Sequence, residues 1–368
     1  MDKAGGSWTV DELGPAMVAF LRPCSGVAAV VVIDNVALGP AIGGVRMRPG
    51  VTAGEVARLA RAMTEKNALA GLPHGGAKAG ISAPALGPAD HERVMRAFAT
   101  AMEPLTGYIP GPDMGTSETS MAYVYDEIGR AIGLPAVLGG IPLDELGATG
   151  FGLAVCADMI SEAGVVSLAG ARIVIQGFGA VGSHAARFLA ERGAVIIAVS
   201  DILGATWNPG GLDIAALRAH KQAAGQVAGF PGGTPVPRDD ILSLDCEFLV
   251  PAAQPDVVTT DNAEKISARV VLEGANIPIT VQAETQLAGR GVLCVPDVVA
   301  NAGGVICAAA EYRGGGPAAA FADIEEKVRG TTAELLDRIR DGTLTPRAAA
   351  GQMARERLRK AVALRRRF

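Results

Sequence analysis

"ARIVIQGFGAVGSHAARFLAERGAVIIAVSD", residues 171 to 201, decides the fold. A short apolar, strand-like run (171–176) passes directly into GFGAVG (177–182). A helical stretch follows from about Val181 to Arg192, Gly193 ends it, and a second strand-like run occupies 194–201. Gly177, Gly179 and Gly182 form G-x-G-x-x-G at a strand-to-helix turn. The first glycine makes the turn, the second lets a pyrophosphate approach the backbone, and the third lets helix and strand pack closely. The helix start then offers free N–H groups to the phosphates, which makes Gly177, Gly179, Ala180, Val181 and Gly182 cofactor-binding candidates. Asp201 closes the next strand, nineteen residues beyond Gly182, where a carboxylate can hold ribose hydroxyls. A 2′-phosphate would be repelled there, and DILGATWN (201–208) supplies no Arg or Lys, so the expected cofactor is NAD, with NADP possible. The plainer alternative is a glycine turn in an unrelated α/β unit, with Asp201 capping a loop.

Working outward, further strand-like pieces at 247–253, 269–276 and 291–297 continue a doubly wound pattern around this unit. The Gly- and Pro-rich stretch 133–152 reads as a junction, and the last fifty or so residues read as helical. At 368 residues the chain is too long for one ordinary core. The expected organisation is α/β with two domains. Residues 1–140, completed by C-terminal helices 320–368, would form an N-terminal α/β catalytic domain with a mixed sheet. Residues 141–319 would form a Rossmann-type, doubly wound dinucleotide-binding domain.

Composition narrows the function classes. Hydrophobic residues make up 49% and mean hydropathy is +0.30, yet the longest apolar runs, such as VAAVVVI (27–33), fall far short of a membrane span. The start MDKAGGSWTV lacks a basic region followed by an apolar one, so no leader is expected. Five scattered cysteines and four histidines show no metal-ligand spacing, so no metal site is expected and the thiols read as reduced. Net charge is −5, and the basic tail LRKAVALRRRF (358–368) reads as an amphipathic last helix rather than a nucleic-acid contact. These features predict a cytoplasmic protein with no nucleic-acid or membrane partner and with an apolar strand edge or face covered by a partner.

The N-terminal half holds a second unusual stretch, KNALAGLPHGGAKAGI (66–81), with two lysines in apolar surroundings. Lysine avoids such settings unless its desolvation is offset. Thr52 with Glu55 forms a capping-box pattern at the start of a helix running to about Ala70, and Gly71-Leu72-Pro73 stops it. Val56, Leu59, Ala60 and Met63 mark its apolar face, which carried on by three residues reaches Lys66. Lys78 follows Gly75-Gly76-Ala77, read as a tight loop that a ligand can approach. Two ammonium groups sharing a poorly solvated pocket lower each other's pKa towards neutrality, and a lysine so shifted can act as a base. From spacing alone, Lys78 reads equally as an exposed loop lysine, and Asp113 in GPDMGT (111–116) as a turn or helix cap.

These segments together carry a resemblance. AIGGVRM, EKNALAGLPHGGAKAGI, GPDMGTSETSMA, ATGFG, QGFGAVGSHAARFLAERGA, NPGGLD, EGANIPIT and VPDVVANAGGV, in this order from about residue 38 to 312, resemble the glutamate/leucine/phenylalanine/valine dehydrogenase family. The resemblance implies reversible oxidative deamination of an L-amino acid to its 2-oxo acid and ammonia, carried out on small-molecule substrates by a homo-oligomer. It implies that Lys66 binds the substrate α-carboxylate, that Lys78 activates the attacking water, and that Asp113 shuttles protons to and from the amine. It places Gly43 and Gly44 along the substrate cleft, Thr149 at the nicotinamide amide, and Asn276 and Asn301 near the nicotinamide ribose and the substrate. Ala252 joins the cofactor candidates and Val305 the substrate candidates.

Glutamate-specific members of the family place a lysine directly before the paired glycines and a serine seven residues after the asparagine of NAGG. This sequence has Ile42 and Ala308 there. A second carboxylate buried without ligands costs several kcal/mol, so the expected substrate is an apolar amino acid of leucine size or larger, branched or aromatic, with small Gly111 and Ala308 leaving room for it. The alternatives are the same reaction on glutamate or another polar amino acid and, in another class, a non-catalytic nucleotide-sensing relative.

Overall fold

The computed structural model describes residue 8 and residues 10–364. Most of the stretch read for a leader, and the end of the basic tail, therefore lie outside the described residues. The chain divides into two compact units: Met1–Pro142 with Val305–Ala320 and Gly351–Phe368, and Leu143–Gly304 with Phe321–Ala350.

The first unit contains β1 (Met17–Leu21), β2 (Ala29–Asn35), β3 (Ala41–Met47), α1 (Ala53–Leu69), β4 (Gly75–Ile81), α2 (Pro88–Met102), β5 (Tyr108–Pro112) and α3 (Glu118–Ile128). Its sheet runs β1-β2-β4-β3-β5 and is mixed: β1/β2 and β2/β4 pair antiparallel, β3/β4 and β3/β5 parallel. Alternation along the strands sorts side chains to two faces. Val31, Ile33, Val45, Ala77 and Ala79 pack under Met95, Phe98 and Met121 on one face. Val30 and Val32 pack with Val56, Ala57 and Ala60 of α1 on the other. Thr52 caps α1 by accepting from Glu55 N, as the sequence pattern predicts. The buried stripe of α1 is Ala53, Val56, Ala57, Ala60, Thr64 and Asn67, with Leu59 and Met63 at its margin.

Lys78 does not sit in a loop. Gly75-Gly76-Ala77-Lys78 belongs to β4, whose residues are all buried. The glycines answer close packing rather than a turn. A Cβ on Gly75 would lie 1.7 Å from Asn35 O, and one on Gly76 would lie 2.0 Å from Thr64 N of α1.

The second unit contains α4 (Leu143–Leu146), α5 (Ala148–Glu162), β6 (Arg172–Gln176), α6 (Ala180–Glu191), β7 (Val195–Ser200), β8 (Ala205–Trp207), α7 (Ile214–Ala224), β9 (Thr234–Val236), β10 (Phe248–Pro251), α8 (Thr260–Ala263), β11 (Val270–Leu272), α9 (Val281–Gly289), β12 (Leu293–Val295) and α10 (Asp297–Ala300). Its sheet order is β12-β11-β10-β6-β7-β8-β9. The five strands from β12 to β7 are parallel, and short β8 and β9 extend the edge antiparallel. The chain winds outward from β6 in one direction and returns to its other side at β10. Beside β6, at the carboxyl ends of the strands, lies the switch point where doubly wound folds bind ligands.

Helices α11 (Gly303–Tyr312), α12 (Pro317–Arg338) and α13 (Pro346–Ala363) complete the chain. Their division differs from the expected boundaries. Residues 305–320 pack in the first unit, where the buried Glu311 carboxylate accepts from Leu134 N and Ile141 N. Residues 321–350 pack in the second, where Thr332 meets Cys156 and Arg347 pairs with Glu273. Among the described residues no helix is long and apolar enough to cross a membrane.

Candidate active site

In the first unit, Ile42, Gly44 and Arg46 of β3 share one sheet face with Lys78 of β4 and with Ile109, Gly111 and Asp113 along and beyond β5, by strand alternation and register. Lys78 Nζ reaches Asp113 Oδ2 at 3.1 Å, and Arg46 Nε reaches the same oxygen at 2.8 Å. Glu55 holds the far side of Arg46 at 2.9 Å and also pairs with Arg48. Its carboxylate therefore serves this network instead of closing the capping box. Gly44 makes the Lys78–Asp113 meeting sterically feasible: a Cβ there would lie 2.8 Å from Asp113 Cβ and 3.1 Å from Lys78 Nζ. Gly43 faces the other way, towards Ala77 O, so it serves strand packing and does not line this face.

The charges in this cluster are set by burial and neighbours. Burial pulls the Lys78 ammonium below the ordinary lysine value; Asp113 opposes this and Arg46 adds to it. Burial pushes Asp113 upward, but the Lys78 and Arg46 cations outweigh it and hold the carboxyl below its usual range. Arg46 is one cationic neighbour that acts on Lys78. Lys66 is half-buried in the last turn of α1.

Ile42 and Ala308 are both buried in the first unit, and Val305 is partly so. Gly111 does not leave an opening, contrary to the expectation from its size. A Cβ on Gly111 would lie 2.9 Å from Ile132 Cγ1, so the buried Ile132 side chain already fills that space. Nothing in the local sequence marks Ile132, which lies twenty-one residues further on and approaches only through the fold.

In the second unit the three glycines behave as their pattern requires. Gly177 has φ +101° and its Cβ would lie 2.7 Å from Ala253 N. Gly182 would place a Cβ 1.8 Å from Gly177 O, while Gly179 has open space where a side chain would go. That opening, the start of α6 at Ala180, and half-buried Val181 and Ala252 fit a pyrophosphate held by backbone N–H groups. A cavity of about 590 Å³ lies here, lined by Gly177, Gly179, Asp201 and Ala252 together with Lys221 and Arg238. Asn301 Nδ2 donates to Asn276 Oδ1 at 3.1 Å and to Gly274 O and Ala275 O at 3.3 Å. Thr149 Oγ1 lies 3.0 Å from where a Cβ on Gly304 would sit.

Asp201 lines this cavity and has more partners than the sequence reveals. Its Oδ1 accepts from Leu203 N and Gly204 N, and its Oδ2 from Lys221 Nζ at 2.7 Å and Val227 N at 2.8 Å. A carboxylate has about four acceptor positions, and here all are taken. Burial raises its pKa, but Lys221 and the backbone donors prevail and keep it ionised. The carboxylate organises its own loop, and its charge is balanced by Lys221. Basic residues absent from 201–208 reach the cavity as Lys221 of α7 and as Arg238, which pairs with Asp239 at 3.1 Å; Asp239 and Asp256 line it as well.

A doubly wound sheet with its glycine turn in one unit and the Lys78–Asp113 pair in the other agree with the class that the family comparison shows. Residues 139–366 match the family described as Glutamate/Leucine/Phenylalanine/Valine dehydrogenase, and residues 23–130 match the Glu/Leu/Phe/Val dehydrogenase, dimerisation domain. The chain belongs to this family and is an amino acid dehydrogenase. It is 38% identical over 307 residues, 80% of this chain and 72% of the relative, to the NADP-specific glutamate dehydrogenase of Saccharolobus shibatae. The hetero-hexameric glutamate dehydrogenase of Thermus thermophilus, in its Leu bound form, superposes with a TM-score of 0.82 at 31% identity, covering 96% of this chain and 89% of that one. The L-tryptophan dehydrogenase of Nostoc punctiforme gives 0.74 at 25% identity, covering 95% and 97%.

Proposed function

We propose that the chain catalyses reversible oxidative deamination of an L-amino acid, and that the Lys78–Asp113 pair over Gly44 performs the proton transfers. This pair is the observation that carries the reading. Lys66 anchors the substrate α-carboxylate as a point charge. Asp113, kept ionised by Lys78 and Arg46, takes a proton from the substrate amine and later returns one to the departing ammonia. Lys78, whose proton burial makes easier to lose, removes a proton from the water that attacks the iminium carbon. When bound, the dinucleotide accepts the hydride from the amino carbon. Amino acid, water and oxidised dinucleotide thus become 2-oxo acid, ammonium, reduced dinucleotide and a proton. Thr149, Asn276 and Asn301 are assigned to the nicotinamide end, and Gly177, Gly179, Ala180, Val181, Gly182 and Ala252 to the phosphates. Lys221 and Arg238 line the cavity with Asp201, Asp239 and Asp256, Lys221 paired to Asp201 and Arg238 to Asp239, so the lining charges favour neither NAD nor NADP.

The names of the relatives support glutamate as the substrate better than an apolar amino acid. One specific observation favours the apolar reading: Ile42 and Ala308, buried beside the glycine-bearing face and on α11, offer no ligand to a second carboxylate. Assembly as a homo-oligomer is supported by the dimerisation-domain match and by edge strand β1, whose Phe20 is 67% exposed. Four of the five cysteines are buried and unpaired, which fits a reducing, cytoplasmic setting.

A panel of 2-oxo acids, including those of glutamate, leucine, phenylalanine and tryptophan, assayed with ammonia and either NADH or NADPH, tests the reaction, the substrate and the cofactor. Turnover ranks the substrates and cofactors. Complete inactivity with retained dinucleotide binding would establish the nucleotide-sensing alternative.

A further inference from the structure

Behind the Asn276–Asn301 pair lies a buried cluster with more carboxylates than cations. Arg347 Nη2 donates to both Glu273 oxygens at 2.6 and 2.8 Å, its Nε to Glu284 Oε2 at 2.6 Å, and its Nη1 to Asp297 Oδ1 at 3.2 Å. Glu273 has no exposed side-chain surface, and Glu284 and Asp297 are nearly covered. Glu284 Oε1 has no partner among the described residues. Three acids around one guanidinium form a costly arrangement for a core, since the charges must be desolvated and are incompletely balanced. Hydrophobic residues of similar volume would fill the space at lower cost. The proposed chemistry makes no direct use of any of these four groups.

The cluster is bonded to the backbone that carries the two asparagines. Asp297 N donates to Glu273 Oε2 at 3.1 Å, which ties the start of α10 to the end of β11. The second Asp297 oxygen accepts from Ile277 N at 3.0 Å, and Asn301 N donates to Asp297 O, one helical turn back. Ile277 has φ +45°, an unfavourable conformation for a β-branched residue that persists only where its surroundings hold it. The loop 274–277 is therefore pinned at Ile277 by Asp297, and its Gly274 and Ala275 carbonyls accept from Asn301.

We propose that Arg347, with Glu273 and Asp297, is a positioning cluster that sets the Asn276–Asn301 pair for the nicotinamide end of the dinucleotide. This rests on the assignment of those asparagines made above. Arg347 fixes the two carboxylates, the carboxylates fix α10 and the 274–277 loop, and these orient the asparagine amides. A small displacement at such a position can cost a factor of about 100 in rate. Glu273 is faced by Arg347 from α13, Asp297 from α10, Glu284 from α9 and the Cys294 thiol from β12. Burial, with Asp297 adding, outweighs Arg347 and pushes Glu273 up to about 7. The hold on the loop accordingly changes with pH near neutrality.

The test compares binding of NADH with binding of ADP-ribose, which lacks the nicotinamide, in the full-length protein. In Arg347→Met, ADP-ribose affinity should stay at the wild-type level, NADH affinity should fall, and kcat should drop by at least about tenfold; Arg347→Lys should recover part of both losses. If Arg347→Met does not fold, Glu273→Gln keeps the shape and one acceptor oxygen while removing the charge and the titration. The wild-type NADH to ADP-ribose affinity ratio should vary with pH near neutrality, and in Glu273→Gln that variation should vanish. An unchanged ratio in the folded variants overturns the proposal, as does equal weakening of both ligands in step with a lowered melting temperature. A wild-type protein inactive on every oxo acid, but with the ratio altered by these variants, would refute the enzymatic reading and leave the positioning cluster standing.

Discussion

Lys78 Nζ meets Asp113 Oδ2 at 3.1 Å across the strand that separates them, and the crossing passes over Gly44. A methyl group at that position would press on both partners. The added carbon would also lie 2.8 Å from Pro112 O, so Gly44→Ala should separate the pair and push β5 slightly away. A displacement near 1 Å predicts a fall in kcat of roughly 100-fold, measured on the best oxo acid, with dinucleotide affinity unchanged. A variant with wild-type kcat would show that the pair does not carry the proton transfers.

Lys78→Met removes the proposed base and should lower turnover by about 10²–10⁴-fold, while NADH still binds when followed by fluorescence.

The depressed pKa of Lys78 also fixes a pH profile. Oxidative deamination requires the neutral amine, so kcat should rise with pH through the folded pKa of Lys78, at a pH below the ordinary lysine value of 10.5. Arg46 contributes to the depression, so Arg46→Met should move the rising limb towards alkaline pH. A shift towards acid would contradict the assignment.

Two glycines of one motif should fail in opposite ways. Gly179 has room for a side chain within the protein, so Gly179→Val should weaken dinucleotide binding and leave the melting temperature in place. At Gly182 an added Cβ would collide with Gly177 O at 1.8 Å. Gly182→Ala should therefore destabilise the unit by at least about 1–3 kcal/mol, read from denaturant unfolding.

Ile42→Lys combined with Ala308→Ser supplies ligands for a second carboxylate. The ratio of kcat/KM for glutamate over leucine should rise about 10- to 100-fold, as expected for hydrogen bonds to a charged group worth about 1.5–3 kcal/mol. An unmoved ratio would mean that positions 42 and 308 do not contact the substrate side chain.

The nucleotide unit was legible because its signal is local: strand, glycine turn and helix are consecutive in sequence, and each glycine's reason lies within a few residues or on the adjoining strand. Lys78 was harder. Gly75-Gly76 looks like a turn in sequence, and only the approach of Asn35 and Thr64 reveals a strand pressed against its neighbours. Asp201 was placed correctly at the end of β7, but its partner Lys221 lies twenty residues on, at the end of α7. Ile132 filling the space at Gly111 and Arg347 reaching Glu273 are long-range meetings that periodicity and spacing do not encode. The division of residues 305–350 between the units likewise depends on tertiary pairing, through Glu311, Thr332 and Arg347.

The glycines at 43, 44, 75 and 76 have one further consequence. The distances between the proton-handling groups are dictated by main chain lying against main chain, which leaves almost no tolerance for substitution. Ile42, Ile132 and Ala308, by contrast, meet their surroundings through buried side chains. Under the proposed function, the reaction would rest on main-chain packing and the substrate choice on side chains. On that reading, a few side-chain changes would redirect such an enzyme to another amino acid, whereas a single methyl group in the frame would disturb the chemistry itself.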